Sequence, residues 1–414
     1  MKSLRVLSSI LFVAFAGTPA LAQGSLGSDS THIVLVEDCV DAGWSSGDIG
    51  VKCVESVSAL MTRIWGSGGI HPTASAPLTV DIGPGKFPGT IACGSEQGHT
   101  TFRGAGRDRT TIEGGFVWII PGFAGAYVAV NAGDCEKLAF QDMTLLAGTT
   151  STVGYTVFWT AGGSSSWTDV NIVGSQTGWY DAFCGGESTD GPSGEHYLWG
   201  SNVTAGKIGY YAECGITWFY GGEILVDPSL LASFSNPSRG VQVVHRGHVH
   251  LFGSAIRATT AKISSGSGSL RGVMVGTPGN ATVGQGYGEF HMHGGVISVN
   301  SSNLSGMNAI GIHMTDNGGA GTAKSHTLDT AFAIQGGSTS TRLSGTGNFE
   351  SPQLWEARTS PPTAGGARDG QDIYVETDCN SSGCSSGPDP HLMIYTSGCS
   401  PTPWFDTSRN ACRN

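Results

Sequence analysis

Side chains with rings recur at matching places in four segments of the sequence. Each segment carries two of them, one on either side of a large apolar residue and directly before a glycine, as in HRGHVHLFGSAIRA (245–258) and GEFHMHGGVISV (288–299). Such rings can stack on sugars, and the polar tips of Tyr, Trp and His can bond hydroxyl groups. The pattern predicts a carbohydrate-binding surface formed by Tyr197, Trp199, Trp218, Tyr220, His250, Phe252, His291 and His293. The alternative, that a loop or the C-terminal arm covers these residues as a second core, stays open.

Candidate catalytic residues precede these segments. Glu213 and His245 each lie eight residues before the glycine of their segment, so we expect them to lie side by side. A carboxylate beside a histidine, with Arg246 adjacent, could abstract an acidic proton next to a uronate or activate water. Asp181, further upstream, completes the predicted catalytic set. An ordinary surface ion pair is the alternative interpretation.

The charge distribution favours an anionic ligand. The chain carries a net charge of −11, yet no acidic residue occurs between Asp227 and Glu289. A locally basic region on an acidic protein attracts anions, and the planar fork of Arg257 suits a carboxylate. We therefore expect a uronate or a sulfated glycan as the ligand. The basic residues of this interval are Arg239, Arg246, Arg257, Lys262 and Arg271, with His245, His248 and His250.

A zinc site is the competing use of the histidines. His250, His291 and His293 could leave an open fourth position, as in catalytic zinc sites. Metal-bound histidines also need acceptors for their second nitrogen, and Glu289 is the only carboxylate nearby in the sequence. Two histidines two residues apart on a strand are also separated by about 7 Å. We therefore predict no metal and no other cofactor.

Six segments align into a repeat that would position all of these residues. One column is large and apolar: Phe140, Trp167, Leu198, Phe219, Leu251 and Met292. A second column, five residues later, is Leu145, Ile172, Val203, Ile224, Ile256 and Ile297. Between them stand residues that tolerate a left-handed backbone: Asp142, Asp169, Gly200, Gly221, Gly253 and Gly294. Constant strand–turn–strand units with loops of irregular length predict an all-β, parallel β-helix in which each coil stacks on the last.

The segment VDIGPGKFPGTIACGSEQGHTTFRGAGRDRTTIEGG (80–115) resembles the opening coils of the pectin-lyase-like, right-handed parallel β-helix proteins. Segment 51–65, which has Val54, Val57, Leu60, Met61 and Ile64 on one helical face, resembles the helix that caps the N-terminal end of these proteins. The resemblance implies this fold, with catalysis on the side of Glu213 and His245. It does not imply one activity, because the superfamily includes lyases, esterases, hydrolases and non-catalytic proteins.

Residues outside the repeat indicate export and a small second unit. Lys2 and Arg5, an apolar run and a small-residue cleavage site predict a signal peptide over 1–22. We expect the β-helix over 23–350, a linker over 351–370 and a small C-terminal β module over 371–414. Ten cysteines in an exported chain predict disulfides, by spacing Cys39–Cys53, Cys93–Cys135, Cys184–Cys214, Cys379–Cys384 and Cys399–Cys412.

Together these features predict a secreted or periplasmic protein that binds, and with Glu213 and His245 cleaves, a polysaccharide by a lyase or hydrolase reaction. The alternative is a non-catalytic extracellular adhesin or surface-structural protein. Cleavage after residue 22 would leave 19 basic against 32 acidic side chains, a balance that argues against nucleic acid as a partner. No apolar run of the mature sequence is long enough to span a membrane.

Overall fold

The protein is nearly all β. The computed structural model describes residues 32–94, 97–117, 126–133, 135–147, 155–160, 163–182, 194–213, 215–231, 237–276, 288–315, 323–345, 348–350, 356–358, 373–376, 391–395, 404–406 and 411–412. Over these ranges it has one α-helix, α1 (Val57–Trp65), and one 3₁₀ turn, Pro228–Leu230. None of the helices in these ranges combines the length and the apolar content of a membrane span.

Most strands form two parallel stacks within one 19-stranded sheet. Stack 1 consists of β1 (His32–Leu35), β3 (Leu78–Ile82), β6 (Thr100–Gly104), β11 (Lys137–Leu146), β13 (Ser164–Gly174), β15 (Glu195–Trp199), β18 (Ile216–Tyr220), β21 (His248–Phe252), β24 (Glu289–His293), β27 (Lys324–Leu328) and β30 (Asn348–Glu350). Stack 2 consists of β4 (Gly85–Pro88), β7 (Thr110–Glu113), the second halves of β11 and β13, β16 (Asn202–Ala205), β19 (Glu223–Val226), β22 (Ala255–Thr259), β25 (Val296–Ser301) and β28 (Ala331–Gly336). The short β2 (Cys53–Val54) pairs with β1.

A nine-stranded parallel sheet closes each coil. Its strands are β5 (Ile91–Cys93), β10 (Val130–Gly133), β12 (Tyr155–Thr160), β14 (Thr177–Ala182), β17 (Ile208–Ala212), β20 (Ser238–Val243), β23 (Ser267–Val275), β26 (Gly306–Met314) and β29 (Thr339–Gly345). The antiparallel pair β8 (Gly115–Val117) and β9 (Ala126–Val128) interrupts the second coil. The chain thus passes repeatedly from stack 1 through a turn to stack 2, and then to the nine-stranded sheet.

The predicted parallel β-helix is confirmed residue by residue in its register. Phe219 pairs with Leu251 and Ile224 pairs with Ile256 on the next coil, and all four side chains are buried. The predicted turn residues adopt positive φ, from 53° at Asp169 to 72° at Gly221. A left-handed residue at this point lets both flanking strands direct alternate side chains into one lumen.

The inner face of the nine-stranded sheet packs against the inner faces of both stacks. Tyr210 meets Phe219 of stack 1 edge-to-face at 5.2 Å. Towards stack 2 the approach requires glycine, because a Cβ on Gly240 would lie 2.5 Å from Cγ2 of Ile256. The outer faces of stack 1 and the nine-stranded sheet therefore point away from each other, on opposite sides of the molecule.

Helix α1 begins later than the predicted 51–65, because Cys53 and Val54 form a strand and Ser56 caps the helix. The Ser56 side chain accepts a hydrogen bond from the backbone N–H of Ala59. Four of the five residues predicted for its apolar face are buried, Val57, Leu60 and Ile64 in the helix and Val54 in β2. The helix contacts β2 and β5, and its role as a cap remains a prediction.

Two predicted disulfides, Cys39–Cys53 and Cys93–Cys135, are present. The Cys184–Cys214, Cys379–Cys384 and Cys399–Cys412 pairs and the signal peptide fall outside the described residues. The C-terminal module contains a five-stranded sheet of β31 (Glu356–Arg358), β32 (Ile373–Glu376), β33 (His391–Tyr395), β34 (Trp404–Asp406) and β35 (Ala411–Cys412). Strand β31 lies within the segment predicted as a linker and pairs in parallel with β32.

Candidate functional site

The predicted ring residues form two adjacent columns on the outer face of stack 1, here called the ring ladder. The first column is Tyr197, Trp218, His250, His291 and His326, and the second is Trp199, Tyr220, Phe252 and His293. Along the eight predicted residues, neighbouring rings of each column stack with centroids 4.5–5.9 Å apart and interplanar angles of 8–15°. His326 continues the first column and was not predicted. The repeat pattern is weak around His326. Thr327 stands where the other segments have a large apolar residue, and Leu328 stands where they have a ring.

The ladder is exposed, but it presents ring edges rather than ring faces to the outside. Trp199 is 40% exposed and Tyr220 is 38% exposed. Because the rings stack along the helix axis, each interior ring has both faces covered by its neighbours. The two columns begin at Tyr197 and Trp199, whose rings stack on each other at 5.7 Å and 9° and which lie beside the small residues Ser166 and Thr168 of the preceding coil. The interior of the ladder therefore lacks the expected row of sugar-stacking faces.

Burial lowers the pKa of three histidines of the ladder, His250, His291 and His293. Burial lowers the pKa of His250 to about 4, with further lowering by His291, His248 and His293. Burial also lowers the pKa of His291, although its hydrogen bond to Glu289 opposes this. The rings of His250 and His291 stack at 4.5 Å and 12°, so their in-plane lone pairs run parallel instead of converging on one point. Within the described ranges, no group of three or more His, Cys, Asp or Glu side chains is placed to hold a metal ion.

Glu213 and His245 lie side by side, as their equal offsets indicate. His245 Nδ1 is 2.8 Å from Glu213 Oε1, and both side chains are about one-fifth exposed. They lie in the turns that lead from the nine-stranded sheet to stack 1, where His245 has a φ of 48°. The backbone N–H of Arg246 donates to the carbonyl oxygen of Glu213, which binds the two turns together. Whether this pair is catalytic stays a prediction.

Asp181 does not join this pair at the surface, because its side chain points into the lumen. It shares a column with Ala212 and Val243 and is 2% exposed. Oδ2 accepts the backbone N–H of Gly215 at 2.9 Å. Burial raises the pKa of Asp181 to about 7, although the Gly215 hydrogen bond opposes the rise. Whether the side chain of Asp181 points inward or outward depends on the alternation along a strand of the nine-stranded sheet. That sheet lies outside the six aligned segments, so their pattern did not predict the inward direction.

Much of the predicted basic region is already neutralised. Arg257 Nε lies 2.6 Å from Glu223 Oε1, and Lys262 Nζ lies 2.6 Å from Asp227 Oδ2. Both acids come from the preceding coil, so they are distant in sequence but adjacent in space. Arg257 therefore has a carboxylate partner within the protein, and its contact with a ligand stays a prediction.

Two other arginines of this region have no such partner. Arg239 and Arg271 are register neighbours on β20 and β23, and their Nη1 atoms lie 3.3 and 3.2 Å from the sulfur of Met274. Across the described ranges, neither forms an ion pair with an acidic side chain, and the buried Nε of each lacks a hydrogen-bond partner. Burial and the charge of Arg271 lower the pKa of Arg239 to about 10. A visible signal was missed: both arginines begin the matching pieces RGVQV and RGVMV.

Two tyrosines connect this arginine pair with Glu213. Tyr180 and Tyr211 stack at 4.5 Å and 5° on the outer side of the nine-stranded sheet. Burial raises the pKa of both hydroxyls, and the Glu213 charge raises them further. The Arg239 charge opposes the rise in the pKa of Tyr211, so Tyr211 lies within the influence of both groups. We name the surface formed by Arg239, Arg271, Tyr180, Tyr211 and Gln242 the arginine face.

Gln242 adds a further polar group to the arginine face. It is the register partner of Tyr211, and its neighbours Val241 and Val243 point into the lumen. Gln242 is 4% exposed, and its Oε1 finds no hydrogen-bond donor among the residues that the structure describes. A buried polar atom of this kind costs free energy unless a partner is supplied.

Comparison with solved structures finds distant similarities. Pectin methylesterase from Yersinia enterocolitica is 12% identical, with 70% of this chain and 94% of that chain covered and a TM-score of 0.44. Pectin methylesterase from carrot is 12% identical, with 78% and 88% covered and a TM-score of 0.39. The mannuronan C-5 epimerase A-module from Azotobacter vinelandii is also 12% identical, with 72% and 93% covered and a TM-score of 0.36. No family model and no curated protein sequence matches, and likeness at this level concerns the fold alone.

Proposed function

We propose that this protein is exported and acts on polysaccharides, and that it binds an anionic glycan on the arginine face. The observation that carries the proposal is the pair Arg239 and Arg271, which among the described residues has no acidic partner. Disulfides Cys39–Cys53 and Cys93–Cys135 support export, because such bonds persist in oxidising compartments.

The physical reason for anion binding is the cost of leaving two like charges together. Register neighbours on adjacent parallel strands are about 4.8 Å apart, and both arginine side chains are partly buried. Repulsion and burial both disfavour the charged forms, and this is why the pKa of Arg239 falls. A carboxylate or sulfate lying between the two planar forks would relieve both penalties and satisfy their unused donors.

The adjoining groups favour β-elimination on a uronate as the reaction. Arg239 and Arg271 would neutralise the uronate carboxylate, and the Glu213–His245 pair would take the proton on the neighbouring carbon, C5. The electron pair of that C–H bond would form the C4–C5 double bond as the C4–O4 bond breaks. A hydroxyl of Tyr180 or Tyr211, kept protonated by its raised pKa, would give its proton to O4. Arg246, next to His245, would assist in binding.

The start of the ring ladder is proposed as an accessory sugar-binding place. Tyr197 and Trp199 are the first rings of their columns and would stack on a pyranose ring, and the Tyr197 hydroxyl is oriented by a 3.0 Å hydrogen bond to Glu195. Tyr220, Phe252 and the remaining rings would then support the platform from below.

Binding to the purified mature chain tests the main proposal. Polyuronates should bind, and Arg271→Gln should weaken binding by about tenfold to a hundredfold, since a charge-assisted hydrogen bond contributes about 1.5–3 kcal/mol. Arg257→Gln is the matched control and should bind as the wild type does, because Arg257 is already paired with Glu223. Unchanged affinity in Arg271→Gln would overturn the proposed site.

The reaction is tested on the same preparations. Ultraviolet absorbance of the unsaturated uronate product should grow with the wild type and be lost in Glu213→Gln, whose affinity for the polymer should persist. Binding without any unsaturated product, over a panel of polyuronates, would remove the lyase reaction and leave a binding protein.

A further inference from the structure

Five histidines gather on three neighbouring strands of stack 1, and we call them the histidine cluster. The cluster is His248 and His250 on β21, His291 and His293 on β24, and His326 on β27. His250 and His291 stack at 4.5 Å, and His326 lies 5.9 Å from His291 and 5.5 Å from His293, ring centre to ring centre. All five are only partly buried, so their ring edges are accessible.

The five histidines share few acidic groups on the strands packed against them. Glu289 lies 3.5 Å from both His248 Nδ1 and His291 Nε2, but it is already paired with Lys324 at 2.8 Å. On one side, β18 contributes Trp218 and Tyr220, which carry no charge at neutral pH. On the stack 2 side, Arg257 of β22 is neutralised by Glu223. On the other side, β30 places Glu350 in register with His326.

Proton binding and anion binding must be coupled at such a surface. The pKa of His248, His250, His291 and His293 is lowered, chiefly by burial, and neighbouring histidines contribute to the lowering at His250. These four histidines are therefore neutral at neutral pH. An anion spanning several rings would offset their repulsion, so protons would be taken up as the anion binds.

We propose that the histidine cluster is a further glycan-binding site, which takes a polyanionic chain and whose affinity rises as the pH falls. Its ring edges direct N–H groups outward at the coil spacing along the helix axis, a row that an extended sulfated or uronate chain could follow. The site lies on the side of the molecule opposite the arginine face. It therefore goes beyond the function proposed above and does not depend on it.

The test uses a sulfated oligosaccharide, because its charge does not change between about pH 5 and pH 7.5, where histidine titrates. Calorimetry in buffers of different ionisation heat gives both the affinity and the protons taken up. For the wild type we expect binding about tenfold tighter at the lower pH, with uptake of at least about one proton.

Three variants separate the possible outcomes. His250→Gln/His291→Gln should lose the gain in affinity at low pH and keep the affinity measured at high pH. His293→Gln, at the more exposed edge of the cluster, should lose part of the increase in affinity at low pH. This single variant keeps the test valid if the double variant does not fold. Arg239→Gln/Arg271→Gln should bind more weakly at high pH yet keep the increase in affinity at low pH. Loss of binding at the arginine face is thereby distinguished from loss of binding at the histidine cluster. A full gain in both histidine variants, or binding without proton uptake, would overturn the proposal.

Discussion

The ring ladder and the arginine face lie on opposite sides of one β-helix and differ in how their side chains are satisfied. On the ladder each interior ring is stacked by its neighbours, as between Tyr220 and Phe252 at 5.2 Å and 10°. On the arginine face, Arg239 and Arg271 repel each other, and the buried oxygen of Gln242 has no described donor. A repeating fold places like beside like on both sides. Stacking of like rings stabilises the ladder, whereas two neighbouring positive charges destabilise the arginine face. The arginine face therefore indicates a ligand more strongly than the ladder does.

The largest expected effect concerns the glycine that lets the arginine-bearing sheet approach stack 2. In Gly240→Ala the new Cβ would lie 2.5 Å from Ile256 Cγ2 and 2.6 Å from the carbonyl oxygen of Gly272. We expect the free energy of unfolding to fall by about 3 kcal/mol, as is typical of overpacking, in a denaturant titration.

Gly253→Asn is the control on the ladder side. Gly253 has a φ of 60°, a Cβ added to it would meet nothing within 4 Å, and its column contains Asp142 and Asp169. This variant should lose less than about 1 kcal/mol, since Asn tolerates the left-handed region. Equal losses in the two variants would contradict the claim of close approach at Gly240.

A second expected effect separates a lumenal role of Asp181 from a catalytic one. Its pKa is about 7 in the folded protein and 3.8 in the unfolded chain, so between these values the folded state holds a proton that the unfolded state has released. Stability contributed at this residue is therefore complete below about pH 4 and is lost as the pH rises to 7. Asp181→Asn should remove this loss and raise stability at about pH 8 by about 2 kcal/mol, measured by thermal unfolding.

Buried His196 on β15 has the opposite effect, because it lowers the stability of the folded protein at acidic pH. Burial lowers its pKa to about 3 from 6.5, so the unfolded chain takes up a proton that the folded state refuses, and stability falls as the pH drops through this window. Asp181→Asn should leave this acid limb in place. If the variant instead abolishes turnover while its pH–stability profile stays that of the wild type, the lumenal account of Asp181 is wrong.

The smallest expected effect compares two rings of the ladder with nearly equal exposure. Trp199 is the first ring of its column and contacts Tyr197 beside it at 5.7 Å, whereas Tyr220 lies within the column between Trp199 at 5.9 Å and Phe252 at 5.2 Å. Trp199→Ala should weaken binding of a uronate oligosaccharide about threefold to tenfold, from the loss of about 0.5–1.5 kcal/mol of ring stacking. Tyr220→Ala should change the affinity less, and calorimetric titration compares the two variants. A larger loss of affinity in Tyr220→Ala than in Trp199→Ala would mean that ring edges within the column, and not its first ring, contact the sugar.

The sequence predicted the parts of the molecule that depend on strand alternation. Side chains alternate along a strand, so a column of apolar residues such as Phe219 and Leu251 fixes which neighbours face outward. The equal offsets of Glu213 and His245 likewise predicted their contact. These inferences needed only position along a strand and the turn between the strands.

The missed features depend on information that is not in that pattern. Ring orientation follows from rotamers, so the stacking of Trp199 on Tyr220 could not be read from spacing. The partner of Arg257 comes from another coil across a loop of irregular length. Arg239, Arg271 and Asp181 belong to the nine-stranded sheet, whose strands follow those loops and therefore keep no constant spacing from the aligned segments.

The most direct test of the central claim is a crystal structure of the protein soaked with a uronate trisaccharide at neutral pH. The account predicts a uronate carboxylate between the guanidinium groups of Arg239 and Arg271, with the sugar near the Glu213–His245 pair. A trisaccharide found only on the ring ladder, with the arginine pair unchanged, would contradict it.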